Sequence, residues 1–532
     1  MRSKILSARE AVALIKDGDC VVSAGFVGCA HPEALTRALE ERFLQAGHPR
    51  DLTVVYVAGQ GDGKSMGANH LAHEGMVRRV IGGHWGLAPK LGELANRGAI
   101  EAYNFPQGVL SHMFRDIAAG KPRTITSVGL HTFVDPRNGG GKLNDRTTED
   151  LVDLIEFDGK QYLSYRPFRP DVAFIRGTTA DEWGNVSMEQ EVVWLEALAQ
   201  AMAVKNSGGI VICQVMRLAK GKGINQHFVK IPGILVDHIV VVDPAQTPEL
   251  HMQTFDRAYV PYFSGQVEYP EDSLFEPLDL SVRKVVARRA SFELLEFDRC
   301  IVNLGIGMPE AVANVAKEEG IRDRMTLTVE SGPIGGLPAS GLSFGASFSP
   351  ECVIDQPYMF DFYDGGGLDI AFLGAAEVDR HGNVNVSRFG PKLAGCGGFI
   401  NITQNAKRVA YCGSFTAGKL EVAIENGKLR ILREGSQKKF VAAVQHLTFS
   451  ADYALERQQP VLYITERAVF ELRADGLWLK EIAPGVDLRR DILDQMDFAP
   501  HFEEPVPLMD ARIFQDGLMG LGVDAERELV LS

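Results

Sequence analysis

Three blocks of this chain occur twice, in the same order, and that duplication constrains its fold more than any other feature. Cys20-Val21-Val22-Ser23-Ala24-Gly25 matches Cys300-Ile301-Val302-Asn303-Leu304-Gly305, and each is followed within a few residues by Pro-Glu-Ala. Leu52-Thr53-Val54 matches Leu327-Thr328-Val329, and Asp171-Val172-Ala173-Phe174 matches Asp369-Ile370-Ala371-Phe372. The turns after this last pair, Asp181 to Val186 and Asp379 to Val384, both end Gly-Asn-Val. Each block is a β-branched run stopped by glycine or a turn, with helical pattern between runs, which is a βαβ rhythm. One copy per half implies two duplicated domains of like topology, not a solenoid. The expected fold is therefore α/β, two open α/β domains with the active site in the cleft between them. Residues 1–242 form the first domain, 243–279 a connector and 280–532 the second. A length of 532 residues also exceeds what one hydrophobic core supports.

Local signals place the elements. Ser7-Ala8-Arg9-Glu10 is a capping box for a short helix, and Pro32 suits the first turn of a second helix. Residues 52–57 read as a strand, followed by the glycine loop 58–63. Residues 137–145, RNGGGKLND, read as a flexible loop outside any core. From Asp243 to Pro277 the periodicity fails. Five prolines and several aromatics there predict an extended connector lying on the surface of both halves.

Composition narrows the function. Apolar content is 45% and charged content 23%, as in ordinary globular proteins. A formal net charge of −14 without a long basic run argues against nucleic acid or an anionic membrane as partner. No apolar run spans a bilayer, and Arg9, Glu10, Lys16 and Asp17 interrupt any signal-peptide core. The expectation is a cytoplasmic protein. Its seven cysteines form no CxxC and no metal spacing, and read as reduced thiols.

Function concentrates in residues 326–345, TLTVESGPIGGLPASGLSFG. Leu327, Thr328 and Val329 are strand formers. Glu330-Ser331-Gly332 stops the strand, and glycines and prolines forbid regular structure beyond it. Glu330 is thus expected at the carboxyl end of a buried strand, where open α/β sheets bind ligands; the bland reading is a surface glutamate in a turn. In the repeat alignment Val55 stands where Glu330 stands, so only one copy carries the carboxylate. Other motifs are weaker. Gly305-Ile306-Gly307-Met308-Pro309-Glu310 resembles a dinucleotide fingerprint, but Glu310 occupies the third-glycine position. Residues 63–65, GKS, are no P-loop. His70 and His73 lie in the wrong order for a zincin and read as structural. His84 and His131 are single histidines that could line a pocket or simply pack. Ser340 and Ser343 form no nucleophile elbow.

The stretches VNLGIGMPEAV, TVESGPIGG, DFYDGGGLD, HGNVNVSRFG and GCGGFINITQNAK, with GFVGCAHPEAL, NFPQGVL and GLHTFVDPR in the first half, resemble the class I coenzyme A transferases. The resemblance is closest to the fused single-chain acetate/propionate CoA-transferases and covers nearly the whole chain. It implies Glu330 as nucleophile, with the glycine loop mapping to Gly305, Ile306, Gly307 and Met308 and the GG-loop to Gly397 and Gly398, both for oxyanion and CoA binding. Gln107 and Asn385 are assigned to the acyl and carboxylate pocket. Asn383 reads as a turn residue, and Cys396 beside Gly397 is an unneeded nucleophile. Lys392, Lys407 and Lys419 are unranked candidates for the CoA phosphates. The implied reaction is ping-pong transfer of CoA between a short-chain acyl-CoA and a short-chain carboxylate through a glutamyl-CoA thioester. It needs no metal and no permanently bound cofactor, CoA being substrate and covalent intermediate. A glutamate, with a reference pKa of about 4.3, is ionised at neutral pH and needs no separate base. The resemblance also implies a homo-oligomer. An acyl-CoA hydrolase using the same glutamate, a nucleotide-dependent oxidoreductase and a non-catalytic acyl-CoA-binding regulator remain the alternatives. The physiological acid pair is not legible, since one methylene in a pocket discriminates by only about 1–3 kcal/mol.

Overall fold

In the computed structural model, residues 4–221, 223–270, 275 and 277–523 are described. The chain forms two compact units. The first comprises residues 1–268, 329–361 and 387–401, and the second 269–328, 362–386 and 402–532. Among the described residues no helix is long and apolar enough to cross a membrane.

The first unit is built on a seven-stranded parallel sheet. Its strands are β1 (Cys20–Ser23), β2 (Leu52–Tyr56), β3 (Val77–Gly82), β4 (Glu101–Asn104), β5 (Val172–Arg176), β6 (Ile210–Val215) and β7 (His238–Val241). The spatial order is β7-β6-β5-β1-β2-β3-β4. Every residue of β1 and β5 is buried, as expected for parallel strands covered on both faces. Helices return the chain between strands. The one at Glu33–Ala46 ends on Gly47 in the left-handed region at φ 70°, where glycine carries no Cβ penalty. The capping box at the N-terminus is formed in both directions, Ser7 Oγ accepting from Glu10 N at 3.2 Å and Ser7 N donating to Glu10 Oε2 at 2.9 Å.

The second unit contains β8 (Cys300–Leu304), β9 (Met325–Thr328), β10 (Ile370–Leu373), β11 (Val409–Cys412), β12 (Val461–Ile464), β13 (Ala468–Arg473) and β14 (Gly476–Ile482). Their order is β9-β8-β10-β11-β12-β13-β14, parallel through β12 and antiparallel after it. The run β9-β8-β10-β11-β12 repeats β2-β1-β5-β6-β7, so the duplication is one of topology. The Asp-Gly-Asn turns repeat atom for atom. Asp181 Oδ2 accepts from Asn185 Nδ2 at 2.8 Å, and Asp379 Oδ2 from Asn383 Nδ2 at 3.1 Å. Asn383 is thus a turn residue, as expected.

The register corrects the repeat alignment. Asp171 Oδ2 accepts from Cys20 N at 2.9 Å, whereas Asp369 Oδ2 accepts from Ile301 N at 2.8 Å. Cys20 is therefore equivalent to Ile301, not Cys300. Cys20 pairs with Thr53 and Ile301 with Thr326, so the counterpart of Glu330 is Val57 and not Val55. The slip arises because runs of interchangeable β-branched residues align equally well one or two positions apart. The asymmetry survives, since Val57 is fully buried and apolar.

Two loops are better anchored than their composition indicates. In 137–145, Leu143 is 5% exposed within an apolar core of the first unit, and Asn144 Nδ2 donates to Ala95 and Ile100 carbonyls. In the connector stretch, His251 to Thr254 are buried, Met252 O accepting from His31 N and Gln253 O from Ala30 N at 3.2 Å each. Short 3₁₀ turns at Pro248–Leu250 and Arg257–Tyr259 and a helix at Val260–Phe263 break the expected extended path.

Candidate active site

Glu330 lies two residues past the end of β9 on a turn closed by Val329 N to Pro333 O at 3.0 Å and Gly332 N to Val329 O at 2.9 Å. Val329 anchors the turn in an apolar cluster with Phe26, Val27, Leu195 and Phe344. Ser331 Oγ donates to Gly345 O, fixing the other flank. Glycine is required at 332, where φ is 130° and a Cβ would stand 2.1 Å from Ile354 O. The result is a carboxylate residue only 8% exposed on a backbone with little freedom, which overturns the surface-turn reading.

Within the first unit, the loops following β1, β2 and β3 carry glycines, Gly25 and Gly28, Gly59 and Gly61, and Gly83, at the carboxyl ends of parallel strands where open α/β sheets bind ligands. Val27 holds φ 55°, rare for a β-branched residue, clamped by Val27 N to Gly59 O and Gly61 N to Val27 O. Gly28 N donates to Leu342 O at 3.1 Å. His31 and Gln60 stiffen this loop from below. Gln60 Nε2 donates to Ser23 O at 2.7 Å, and His31 Nδ1 lies 3.0 Å from Gln60 Oε1. Burial pushes His31 down to about 4, so its ring is neutral.

The GG-loop and the loop holding Gln107 are laced together. Gly397 N donates to Gly83 O at 2.7 Å, and Gln107 N donates to Gly397 O at 2.9 Å. Cys396 N donates to Asn104 Oδ1 at 2.9 Å, while Asn104 Nδ2 donates to the Gly82 and Gly83 carbonyls at 2.8 and 2.6 Å. Gly108 N donates to Asn401 Oδ1 at 3.0 Å. The His84 ring sits among glycines: a Cβ on Gly59 would come 2.5 Å from its Nδ1 and one on Gly397 would lie 3.7 Å from its Cδ2. Burial, then nearby Lys392, pushes His84 down to about 4. The Cys396 thiol is pushed well up by burial, which leaves it protonated and a poor nucleophile.

Of the residues singled out in the sequence, Gln107 and Gly397 are brought together directly. Gly398 stands immediately before the helix Phe399–Asn405, where first-turn N–H groups lack intrahelical partners. Gly305 to Met308 belong to the second unit. Gly305 N is taken by Phe372 O at 2.8 Å, Gly307 stands at φ 91° with open space around it, and Ile306 is 55% exposed. Gly307 N bonds the Glu310 carboxyl, so the protein's own acid occupies the amide that a dinucleotide pyrophosphate needs. Asn385, also in the second unit, donates from Nδ2 to Glu377 Oε2 at 2.7 Å. Lys407 pairs with Asp369 at 2.8 Å, the same carboxylate that holds Ile301 N. His70 binds Glu33 and Glu40, and His73 binds Glu40. Sequence reasoning missed Asn104, Gln356 and Glu196. Asn104 opens the NFPQGVL stretch but was not singled out within it; Gln356 and Glu196 carry no motif, and they meet across 160 positions.

A shielded carboxylate on a rigid turn, beside glycine loops that admit a ligand's close approach, suits attack on an activated carbonyl. The chain belongs to the coenzyme A transferase family. The family model described as coenzyme A transferase matches residues 5–242. The chain is 47% identical over 98% of its length, and 96% of the relative's, to acetate CoA-transferase YdiF of Escherichia coli strain K12. It is 46% identical to caffeate CoA-transferase of Acetobacterium woodii, over 98% of this chain and 99% of that one. The solved structure of the E. coli O157:H7 acyl-CoA transferase YdiF, as a thioester complex with CoA, is similar at TM-score 0.90 and 45% identity, covering 98% and 97% of the two chains. CoA transfer is accordingly its chemistry, in a protein close to the fused acetate CoA-transferases.

Proposed function

We propose that the protein moves coenzyme A between a short-chain acyl-CoA and a short-chain monocarboxylate, with Glu330 as covalent nucleophile. The observation that carries this is the Glu330 turn, a largely shielded carboxylate fixed by Gly332, Ser331 and Val329. A Glu330 oxygen attacks the acyl-CoA carbonyl carbon; the C–S bond breaks and CoA leaves as thiolate, giving an acyl-glutamyl anhydride. The thiolate then attacks the Glu330 carbonyl carbon, the C–O bond breaks, and the first acid departs as carboxylate. The resulting glutamyl-CoA thioester is consumed by a second acid running the steps in reverse. Each tetrahedral intermediate carries an oxyanion, which backbone amides stabilise. We assign Gly398 as one donor, since the Gly397 amide is committed to Gly83 O, with the Gly305 to Met308 loop serving CoA. Gln107 holds the acid's carboxylate, with Asn385 as second candidate for that pocket. No permanently bound cofactor takes part. We read the enzyme as a cytoplasmic homo-oligomer with two duplicated domains, 1–242 and 280–532.

Similarity does not choose the acid, because relatives named for acetate and for caffeate are nearly equally identical. Initial rates with acetate, propionate, butyrate and caffeate as acceptors test the reading. Parallel ping-pong lines, kcat/KM favouring the short acids, and negligible CoA release without acceptor are expected. Rapid CoA release without an acid would instead make the protein a hydrolase. Acyl-CoA binding without turnover would make it a regulator.

A further inference from the structure

One chain of buried polar groups in the first unit starts at Gln107 and runs on through residues that have no part in the steps above. Gln107 Nε2 donates to Gln356 Oε1 at 3.2 Å, Gln356 Nε2 to Glu196 Oε2 at 3.0 Å, and Gln200 Nε2 to Glu196 Oε1 at 2.6 Å. All four side chains are at most 2% exposed. Gln107 and Gln356 open the helices Gln107–Ala118 and Gln356–Asp364, and Glu196 immediately precedes the helix Ala197–Asn206. Gln356 N also donates to Leu195 O at 3.0 Å. Three helix starts thus hold the polar chain end to end, away from water that could relax it.

Its polarity is set at the Glu196 end. An ionised carboxylate only accepts. It takes an N–H from Gln356, which must then turn its carbonyl to Gln107. Gln107 gives up its N–H in turn and leaves Oε1 facing Gly397, 3.7 Å from where a Cβ on that glycine would stand. A carbonyl oxygen there opposes a carboxylate ligand. A protonated Glu196 reverses the order without moving a heavy atom far. Its O–H donates to the Gln356 carbonyl, the Gln356 amide donates to the Gln107 carbonyl, and the Gln107 NH₂ turns toward Gly397. Gln200 could compete for the proton, since its Oε1 has no partner among the described residues. That route would flip the Gln200 amide and orphan an NH₂ instead, and orphaned donors are tolerated less readily than an under-satisfied carbonyl.

We propose that Glu196 is a positioning residue which, when protonated, turns the Gln107 N–H toward the acceptor acid and, when ionised, turns the Gln107 carbonyl there instead. This rests on Gln107 being the residue that holds the acid. Glu196 faces Gln200 from its own helix and Gln356 opposite. Nearby stand Asp355, which pairs with Lys230 at 2.5 Å, and Arg115, which is held by Asp361 through two 2.6 Å bonds. Lys230 also lies 3.8 Å from the Trp194 ring centre, and Tyr358 lines the same recess as Glu196 and Arg115. Burial above all, aided by the Asp355 charge, pushes Glu196 up to about 8. The donor form therefore prevails at neutral pH and is lost in mild alkali.

The test is the pH dependence of the acetate KM and of kcat, from pH 6.5 to 9.5, for the full-length enzyme, Glu196→Gln and Gln356→Met. In the wild type the acetate KM should stay flat to about pH 8 and then rise toward a limit of about tenfold per pH unit, with kcat changing far less. Glu196→Gln carries an N–H where the proton was and a carbonyl for Gln200. It should keep the low KM and lose the alkaline rise. Gln356→Met breaks the chain and should raise KM several-fold at every pH without the rise. A wild-type KM flat throughout, an unchanged rise in Glu196→Gln, or wild-type behaviour of Gln356→Met overturns the proposal. Borohydride trapping at Glu330, run in parallel, separates that failure from failure of the transferase reading: an intact covalent adduct with an unaltered pH profile sinks only the role of Glu196.

Discussion

Gly332 sets how much freedom Glu330 has. Its φ of 130° and the 2.1 Å approach of a Cβ to Ile354 O leave no room for a side chain. Gly332→Ala should destabilise the protein by about 1–3 kcal/mol in urea unfolding and lower kcat more than it raises KM, because the carboxylate is displaced. Gly83 is as constrained, with a Cβ placed 1.9 Å from Val57 O. Glu196 makes a different prediction. An acid whose folded pKa rises from 4.5 to about 8 binds more protons folded than unfolded across that interval. Its contribution is therefore neutral below about pH 4.5 and increasingly destabilising up to about pH 8. Tm measured from pH 5 to 9 should decline less steeply in Glu196→Gln than in the wild type; equal slopes would contradict the burial of an ionisable group there. At this scale the Glu330 turn was legible in TVESGPIGG, because a glutamate followed by glycines and prolines cannot continue a strand. Glu196 and Gln356 were not legible. Each is an ordinary residue at a helix start, and only tertiary folding places one against the other across 160 positions.

Asn104 governs the next scale, the loops. One side chain holds the Gly82 and Gly83 carbonyls and the Cys396 amide, joining the end of β4 to the GG-loop. Asn104→Ala leaves the buried Cys396 amide unpaired, at about 1–3 kcal/mol for an orphaned donor, and the Gly82 and Gly83 carbonyls with only the bonds from Phe105 N and Gly397 N. It should lower Tm and slow transfer at least tenfold, whereas a surface substitution such as Lys121→Ala changes neither. The strands and the glycine loops that follow them were readable from β-branched runs and their breakers. The register was not, because CVVS and IVNL present the same pattern when slid by one; the Asp171 and Asp369 carboxylates that cap Cys20 N and Ile301 N settle it. The burial of residues 251–254 escaped for a related reason. Prolines and aromatics spaced without a period carry no signal of which face is covered.

For the whole molecule, the shared strand order of the two sheets explains how one ancestral unit serves twice while only one copy bears the carboxylate, Val57 filling its place in the other. Strands flanked on both sides, β1 and β5 and their counterparts β8 and β10 among them, should be the last to exchange amide hydrogen in each unit. The edge strand of the second sheet, β14, should exchange earlier. The proposed transfer requires one covalent bond, from the Glu330 carbonyl carbon to the sulfur of CoA. Enzyme incubated with acetyl-CoA, reduced with borohydride and digested should yield a peptide in which Glu330 has become the corresponding alcohol, with loss of activity in proportion, and Glu330→Gln should give neither the modification nor transfer. Modification at Cys396, or near-normal transfer by a folded Glu330→Ala, would contradict it.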